Sequence, residues 1–210
     1  MKRTKEIMNN FKINNQISHI FKLKNIIKFL ILFLSIVSIF IGAILYKLNY
    51  KIDILNLIQF NLKNNVFYNF KYTCLFLLKI DFIFMFCNLF FGLSFLGASF
   101  SVIPPIIKCI LIGYTSSFFY INYKLKGVLF CLIFIYPYMA ITTSSLIILS
   151  YESIVTSQYI YNVLMKKSTA DNISLKLYFI KYAILIIINL LCTFINSGII
   201  SMFLPKINII

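Results

Sequence analysis

Apolar residues run through this chain in long blocks, cut at intervals by lysines. Phe29 to Tyr46 is an uncharged run of 18 residues. Phe82 to Tyr123 is a run of 42 residues with a single charge, Lys108. Gly127 to Tyr151 is uncharged, and Tyr182 to Pro205 is uncharged again. A helix needs about 20 apolar residues to cross a bilayer core. The 42-residue block therefore predicts two spans in a hairpin, turning near Gly97-Ala98-Ser99. The pattern predicts an all-α membrane protein, a bundle of about five transmembrane helices with short interfacial helices. The expected spans are 29–46, 82–96, 99–123, 127–151 and 182–205. Together they form one polytopic membrane domain over 29–206.

The shorter clusters predict helices that lie on the membrane. Residues 1–28 read as a basic cytoplasmic tail, with Ile17, Ile20, Phe21 and Leu23 interleaved among lysines, as in a surface amphipathic helix. Residues 47–81 carry Lys47, Lys51, Asp53, Lys63, Lys71, Lys79 and Asp81 among apolar clusters. No uncharged run there reaches 18 residues, so the spacing favours an interfacial helix. Glu152 to Lys167 is polar enough to leave the core. Ser168 to Asn172 is turn-like and can cap a following helix. Phe29 to Tyr46 is longer than a signal-peptide core and lacks a small-residue exit, so it reads as an uncleaved anchor.

Composition removes the soluble alternatives. The chain has 210 residues, of which 61% are hydrophobic and 12% charged. That charged share is about half of what a soluble domain carries. The net charge is +15. Basic residues punctuate the apolar runs, which fits anionic lipid headgroups. Nucleic-acid binding is not expected, since only one of the 20 basic residues is an arginine and base readout favours arginine. With the N-terminus inside, the inner segments hold 11 basic residues and the outer ones 8. The positive-inside rule then places the N-terminus in the cytoplasm.

Catalytic constellations are not apparent. The single histidine, His19, lies in the basic tail. Zinc-protease, nucleophile-elbow and phosphate-loop motifs do not occur, and Cys74, Cys87, Cys109, Cys131 and Cys192 form no C-x-x-C. No metal or cofactor is expected, and the chain does not read as an enzyme. A serine activated by Lys108 is conceivable, but nothing in the sequence indicates how such a serine would be exposed to substrate. Lys108 is the residue to weigh. A lysine at mid-helix costs about 2.5–3.5 kcal/mol on insertion scales, so it needs a partner or water. Asp81 is the nearest candidate, about 8 Å away in height at 1.5 Å rise per residue, a gap the lysine stem can partly span. Lys108 then serves either a structural ion pair or a site for a partner helix, an ion or a lipid headgroup. Gly92, Ser94, Gly97 and Gly113 suit close helix packing. Pro104-Pro105 predicts a bend in the third span and Pro137 a break in the fourth. The hydroxyls of Thr142 to Ser145 can bond back to helix carbonyls.

The order of these motifs resembles the stage II sporulation protein M family. Ile39-Phe40-Ile41-Gly42-Ala43-Ile44-Leu45 is similar to the end of that family's first span. Gly92-Leu93-Ser94-Phe95-Leu96-Gly97 resembles its Gly-x-Ser-x-x-Gly, followed by a proline. Lys108-Cys109 and Gly113-Tyr114 stand at the spacing of its Lys-Gly and Gly-Phe/Tyr, with Cys109 in place of glycine. Lys126-Gly127 and Pro137 continue the pattern, so the likeness covers roughly residues 29–165. It implies a non-enzymatic scaffold in the bacterial cell membrane, acting in engulfment of the forespore. It also implies two peptidoglycan-degrading partners, the stage II sporulation proteins D and P. Gly92, Ser94, Gly97, Pro104, Pro105, Lys108, Gly113 and Pro137 would then serve helix packing or partner docking. The competing expectations are a permease-like subunit, with Lys108 lining a substrate path, and a holin-like pore former.

Overall fold

The computed structural model describes residues 26–48, 69–165 and 175–203. These residues are helical throughout, with short turns and no strand. The elements are α1 (Ile26–Lys47), α2 (Phe70–Leu93), the single turn α3 (Gly97–Phe100), α4 (Ile103–Phe130), a π-helical turn (Cys131–Ile135), α5 (Tyr136–Leu164) and α6 (Leu175–Phe203). The predicted tail helix, residues 49–68 and the turn at 168–172 lie outside the described residues.

Four helices are long and apolar enough to cross a membrane: Ile26–Lys47, Phe70–Leu93, the continuous run Gly97–Leu164, and Leu175–Met202. The expected count was about five. The difference lies in the third of these, which is 68 residues long. Straight, it would extend about 100 Å, some three bilayer cores. It does not run straight. Lys124 has φ 48° and ψ −127°, far from helical values, and the chain reverses there. Phe119 and Phe130 have ring centroids 4.8 Å apart, and the hydroxyls of Tyr120 and Tyr136 meet. Gly127 makes the reversal possible, because a Cβ there would lie 2.0 Å from the Phe119 carbonyl oxygen.

Pro137 follows this hairpin and explains the π-helical turn. Its ring crowds the preceding turn and it has no N–H to give. The Tyr136 N–H reaches back five residues to the Cys131 carbonyl, and the helix continues. The π-helix occurs mostly as such single turns inside α-helices.

The α2–α4 turn lies where the glycines predict it, from Ser94 to Val102. Gly97 is obligatory, since a Cβ would meet the Phe91 carbonyl oxygen at 1.5 Å. The bend expected at Pro104-Pro105 is absent. Both prolines sit in the first turn of α4, where backbone N–H groups have no helical partner and proline is favoured.

Three other boundaries differ. The second span starts at Phe70 rather than Phe82, behind an Asn69 cap whose side chain accepts from the Lys71 N–H at 3.1 Å. Residues 70–81 are therefore part of a long apolar helix and not an interfacial one. The segment after Tyr151 does not leave the bundle at once: Ser153, Ile154, Thr156 and Ser157 are buried and α5 runs on to Leu164. The last helix begins at Leu175, not Tyr182.

Pairwise contacts fix the directions. Along α2 and α5, Asp81 meets Tyr138, Asn88 meets Ser150, and Ser94 meets Ser157, so these helices are parallel. Helix α6 runs against α2: Tyr178 bonds near its end, at the Leu89 carbonyl, and Phe194 meets Phe70 edge to face at its start. Helix α1 runs with α4, from Ile31, in one apolar cluster with Val102, to Tyr46 bonded to Asn122. One end of the bundle thus gathers Lys28 over the Tyr151 ring and the Lys181–Glu152 pair. The other gathers Lys47, Lys71, Lys124 and Lys126.

Helices α1 and α4 cross at glycines. A Cβ on Gly42 would lie 2.1 Å from the Ile110 carbonyl oxygen, and one on Gly113 would lie 2.0 Å from that of Ile39. Each glycine receives the other helix's backbone, the close approach that small residues permit in lipid. Outer faces carry Phe, Ile and Leu in the open, while polar side chains are turned inward. Lipid makes that arrangement stable, because apolar surface costs nothing there and an unpaired polar group costs several kcal/mol, roughly.

Candidate functional site

The interior polar groups form a seam where α2, α5 and α6 meet, with α4 closing it. Its centre is Asp81, on α2. Lys108 Nζ, from α4, lies 2.6 Å from Asp81 Oδ1. The Tyr138 hydroxyl, from α5, donates to Asp81 Oδ2 at 2.5 Å. Lys108 is 2% exposed and Asp81 and Tyr138 are each 4% exposed. The two charges cancel, and each carboxylate oxygen has a donor. A buried carboxylate is tolerated on such terms and on few others.

The pair explains why charge counting misplaces the second span. Asp81 reads as a residue that ends an apolar run. In the bundle it faces Lys108 and is not seen by lipid. Lys79, on the same helix, is exposed, and its stem can carry the ammonium along the helix towards the headgroups.

Asn88, two turns further along α2, organises a second cluster. Its Nδ2 donates to Ser150 Oγ at 2.8 Å, and Ser150 donates to the Leu146 carbonyl at 2.9 Å. Ser153 Oγ donates to the Asn88 carbonyl at 2.9 Å and lies 2.9 Å from the Tyr182 hydroxyl. Since the Ser153 proton is committed, Tyr182 is the donor in that contact. Tyr178 closes the cluster on the Leu89 carbonyl at 3.3 Å. Nearer the turn, Ser157 donates to the Ser94 carbonyl at 2.7 Å and accepts from the Ala98 N–H at 2.9 Å. These bonds pin α5 and α6 to the α2–α4 hairpin.

Ser153→Ala removes the hub of the second cluster. Interhelical hydrogen bonds in lipid average about 0.6 kcal/mol and reach about 1.7. With the Asn88 carbonyl and the Tyr182 hydroxyl both left without Ser153, a loss of about 1–2 kcal/mol is expected. Thermal unfolding in detergent measures it; an unchanged midpoint would mean the cluster is dispensable.

The residues singled out from the sequence do not form one site. Lys108 and Asp81 come together. Gly92 lies beside the Tyr178 hydroxyl, which a Cβ would meet at 2.0 Å. Ser94 and Gly97 shape the turn, Pro104 and Pro105 open α4, Gly113 faces α1, and Pro137 follows the π turn. The hydroxyls of Thr143, Ser144 and Ser145 bond back to carbonyls of their own helix. Tyr138, Asn88, Ser153, Tyr178 and Tyr182 join these networks without belonging to any motif of the sequence. The available signal was spacing: Tyr178, Tyr182, Asn189, Thr193 and Asn196 recur every three, four or seven residues along α6 and share its buried face.

A cavity of about 100 Å³ opens beside the ion pair. A smaller one of about 20 Å³ lies on the other side of Asp81, against Met85, Asn189 and Thr193. Among the described residues the Asn189 Oδ1 atom has no hydrogen-bond partner. The small cavity has room for one water, which could serve it and Asp81 together. No family model, curated protein or solved structure matches this chain.

Proposed function

We propose that this chain is a non-enzymatic integral membrane scaffold of a sporulation engulfment complex, anchoring peptidoglycan-degrading partners at the septal membrane. The reading rests on the resemblance to the stage II sporulation protein M family. One observation carries it furthest: the residues of that resemblance are the ones on which this bundle closes. Gly42 and Gly113 sit at the α1–α4 crossing, Gly97 in the turn and Gly127 in the reversal, and Lys108 holds Asp81. A motif order that specifies packing rather than chemistry suits a scaffold.

In this reading the chain crosses the membrane five times, the two arms of the Gly97–Leu164 run each counting as one crossing. The end bearing Lys28 and the Lys181–Glu152 pair is cytoplasmic, together with the N-terminus. Lysines at both ends meet anionic lipid headgroups. The partners are the stage II sporulation proteins D and P, which supply the hydrolysis; nucleic acid has no part.

The cavity beside Lys108 favours a second reading, a permease-like subunit in which the polar seam lines a solute path. A tagged full-length chain purified from sporulating cells separates the two. The scaffold reading expects the two peptidoglycan hydrolases to co-purify and solute uptake to be unchanged on deletion. Capture of neither hydrolase, with altered uptake, would overturn it.

A further inference from the structure

The cavity beside the ion pair has a chemistry of its own. Lys108, Asp81, Tyr138 and Asn196 give it one polar side, and the remaining walls, Phe76 and Phe119 among them, are mostly apolar. Both Asp81 oxygens already accept hydrogen bonds, so the carboxylate has its strongest positions filled. Lys108 is different. An ammonium has three N–H donors. One goes to Asp81, and among the described residues no other acceptor takes the remaining two. The cavity therefore presents a donor in search of an acceptor.

Charge and depth narrow the acceptor. Lys108 and Asp81 cancel, and Tyr138 is neutral. An anion would leave the cluster with a net negative charge in a low-dielectric interior, which is costly. A neutral carbonyl or hydroxyl would not. Asp81 is the twelfth of the 24 residues of α2, so the cluster lies near the middle of the membrane. Charged headgroups do not reach that depth readily, whereas neutral lipid-soluble molecules do. Size narrows it further. An apolar cavity of about 150 Å³ takes up benzene, so about 100 Å³ suits a head group smaller than a benzene ring. Ile80 and Met139 in its wall are only half-buried, so the cavity is not sealed and an apolar tail can continue outward.

We propose that this cavity binds the neutral head group of a lipid-soluble molecule, a carbonyl or hydroxyl oxygen that accepts from Lys108 and carries an apolar tail. The site is independent of the scaffold reading and would exist in either type of membrane protein.

The test uses the purified full-length chain in lipid nanodiscs and four probes with a ten-carbon chain: methyl decanoate, decanol, decanoate and decane. A ligand of the folded state raises the unfolding midpoint in a saturable way. The ester or decanol is expected to do so, and whichever is tighter tells a carbonyl source from a hydroxyl one. Thr115→Phe fills the cavity and leaves the ion pair in place; it should weaken that binding about tenfold or more, as should Lys108→Met. Should Lys108→Met not fold, Thr115→Phe decides alone. Saturation by decane at equal strength, tighter binding of decanoate, indifference to Thr115→Phe, or no saturable shift with any probe would each overturn the proposal.

Discussion

Lys108→Met is expected to destabilise the bundle by about 3–5 kcal/mol, the cost of leaving a buried charge without its partner. Asp81 would keep the Tyr138 hydroxyl but lose the ammonium at 2.6 Å. Lipid and the surrounding apolar side chains cannot replace it. Asp81→Asn alone is expected to be of similar size, because Lys108 is then the orphan. The double variant Asp81→Asn with Lys108→Met removes both charges and should recover most of the loss, since replacing a buried pair by neutral groups of similar volume is often close to neutral. Unfolding midpoints in detergent for the wild type, both single variants and the double variant give the coupling directly. Additive single losses would mean that the pair contributes nothing as a pair. The same set separates a structural role from a docking role. If the double variant folds normally yet no longer captures the proposed peptidoglycan hydrolases that the wild type captures, the charges serve recognition as well as packing.

Gly113→Leu is the second large effect. The backbone of α1 lies against this glycine, with the Ile39 carbonyl oxygen 2.0 Å from where a Cβ would be. Overpacking usually costs about 1–3 kcal/mol when neighbouring side chains can adjust. Here the neighbour is backbone, which cannot rotate away, so α1 must move as a whole. It would give up the burial of Ile31, Ser35, Ser38 and Gly42, the face it turns to the bundle. Hydrogen exchange over residues 26–47 should rise, while exchange in α2, α5 and α6 stays low. Gly198→Ala is a fitting control, since the nearest atom to its added Cβ is 3.8 Å away. Equal exchange in α1 for both variants would contradict the crossing.

These effects show what the sequence carries and what it hides. Apolar runs mark the membrane helices because lipid demands them. They mark the ends poorly, because a charge inside a bundle is paid for by a partner that may be far away in sequence. Asp81 is the example: it lies 27 residues before Lys108, and without that contact it reads as a boundary. The same holds for α5. Ser153 and Ser157 look like the start of a polar surface segment until their partners on α2 and α6 and in the turn are known, and Thr156 is buried with its hydroxyl bonded back to the Glu152 carbonyl of its own helix. Pro104 and Pro105 mislead for a related reason. The turn before them is itself apolar, with Phe95, Leu96 and Phe100 exposed, so nothing in the residue pattern shows that a helix restarts at Ile103. Glycine was the more dependable signal. At Gly97 and Gly113 a backbone needs the space, and no other residue supplies it.

The reversal at Lys124 carries the proposed count of five crossings, and with it the proposed sides of the two ends. Lys124 and Gln158 are both exposed and lie near opposite ends of the bundle. Lys124→Cys and Gln158→Cys, each reacted in intact cells with a membrane-impermeant maleimide and with the wild-type chain as the control for the five native cysteines, test it most directly. The five-crossing bundle with a cytoplasmic N-terminus expects Cys at 124 to react from outside and Cys at 158 to react only after the cells are opened. Reaction of both from the same side would contradict it.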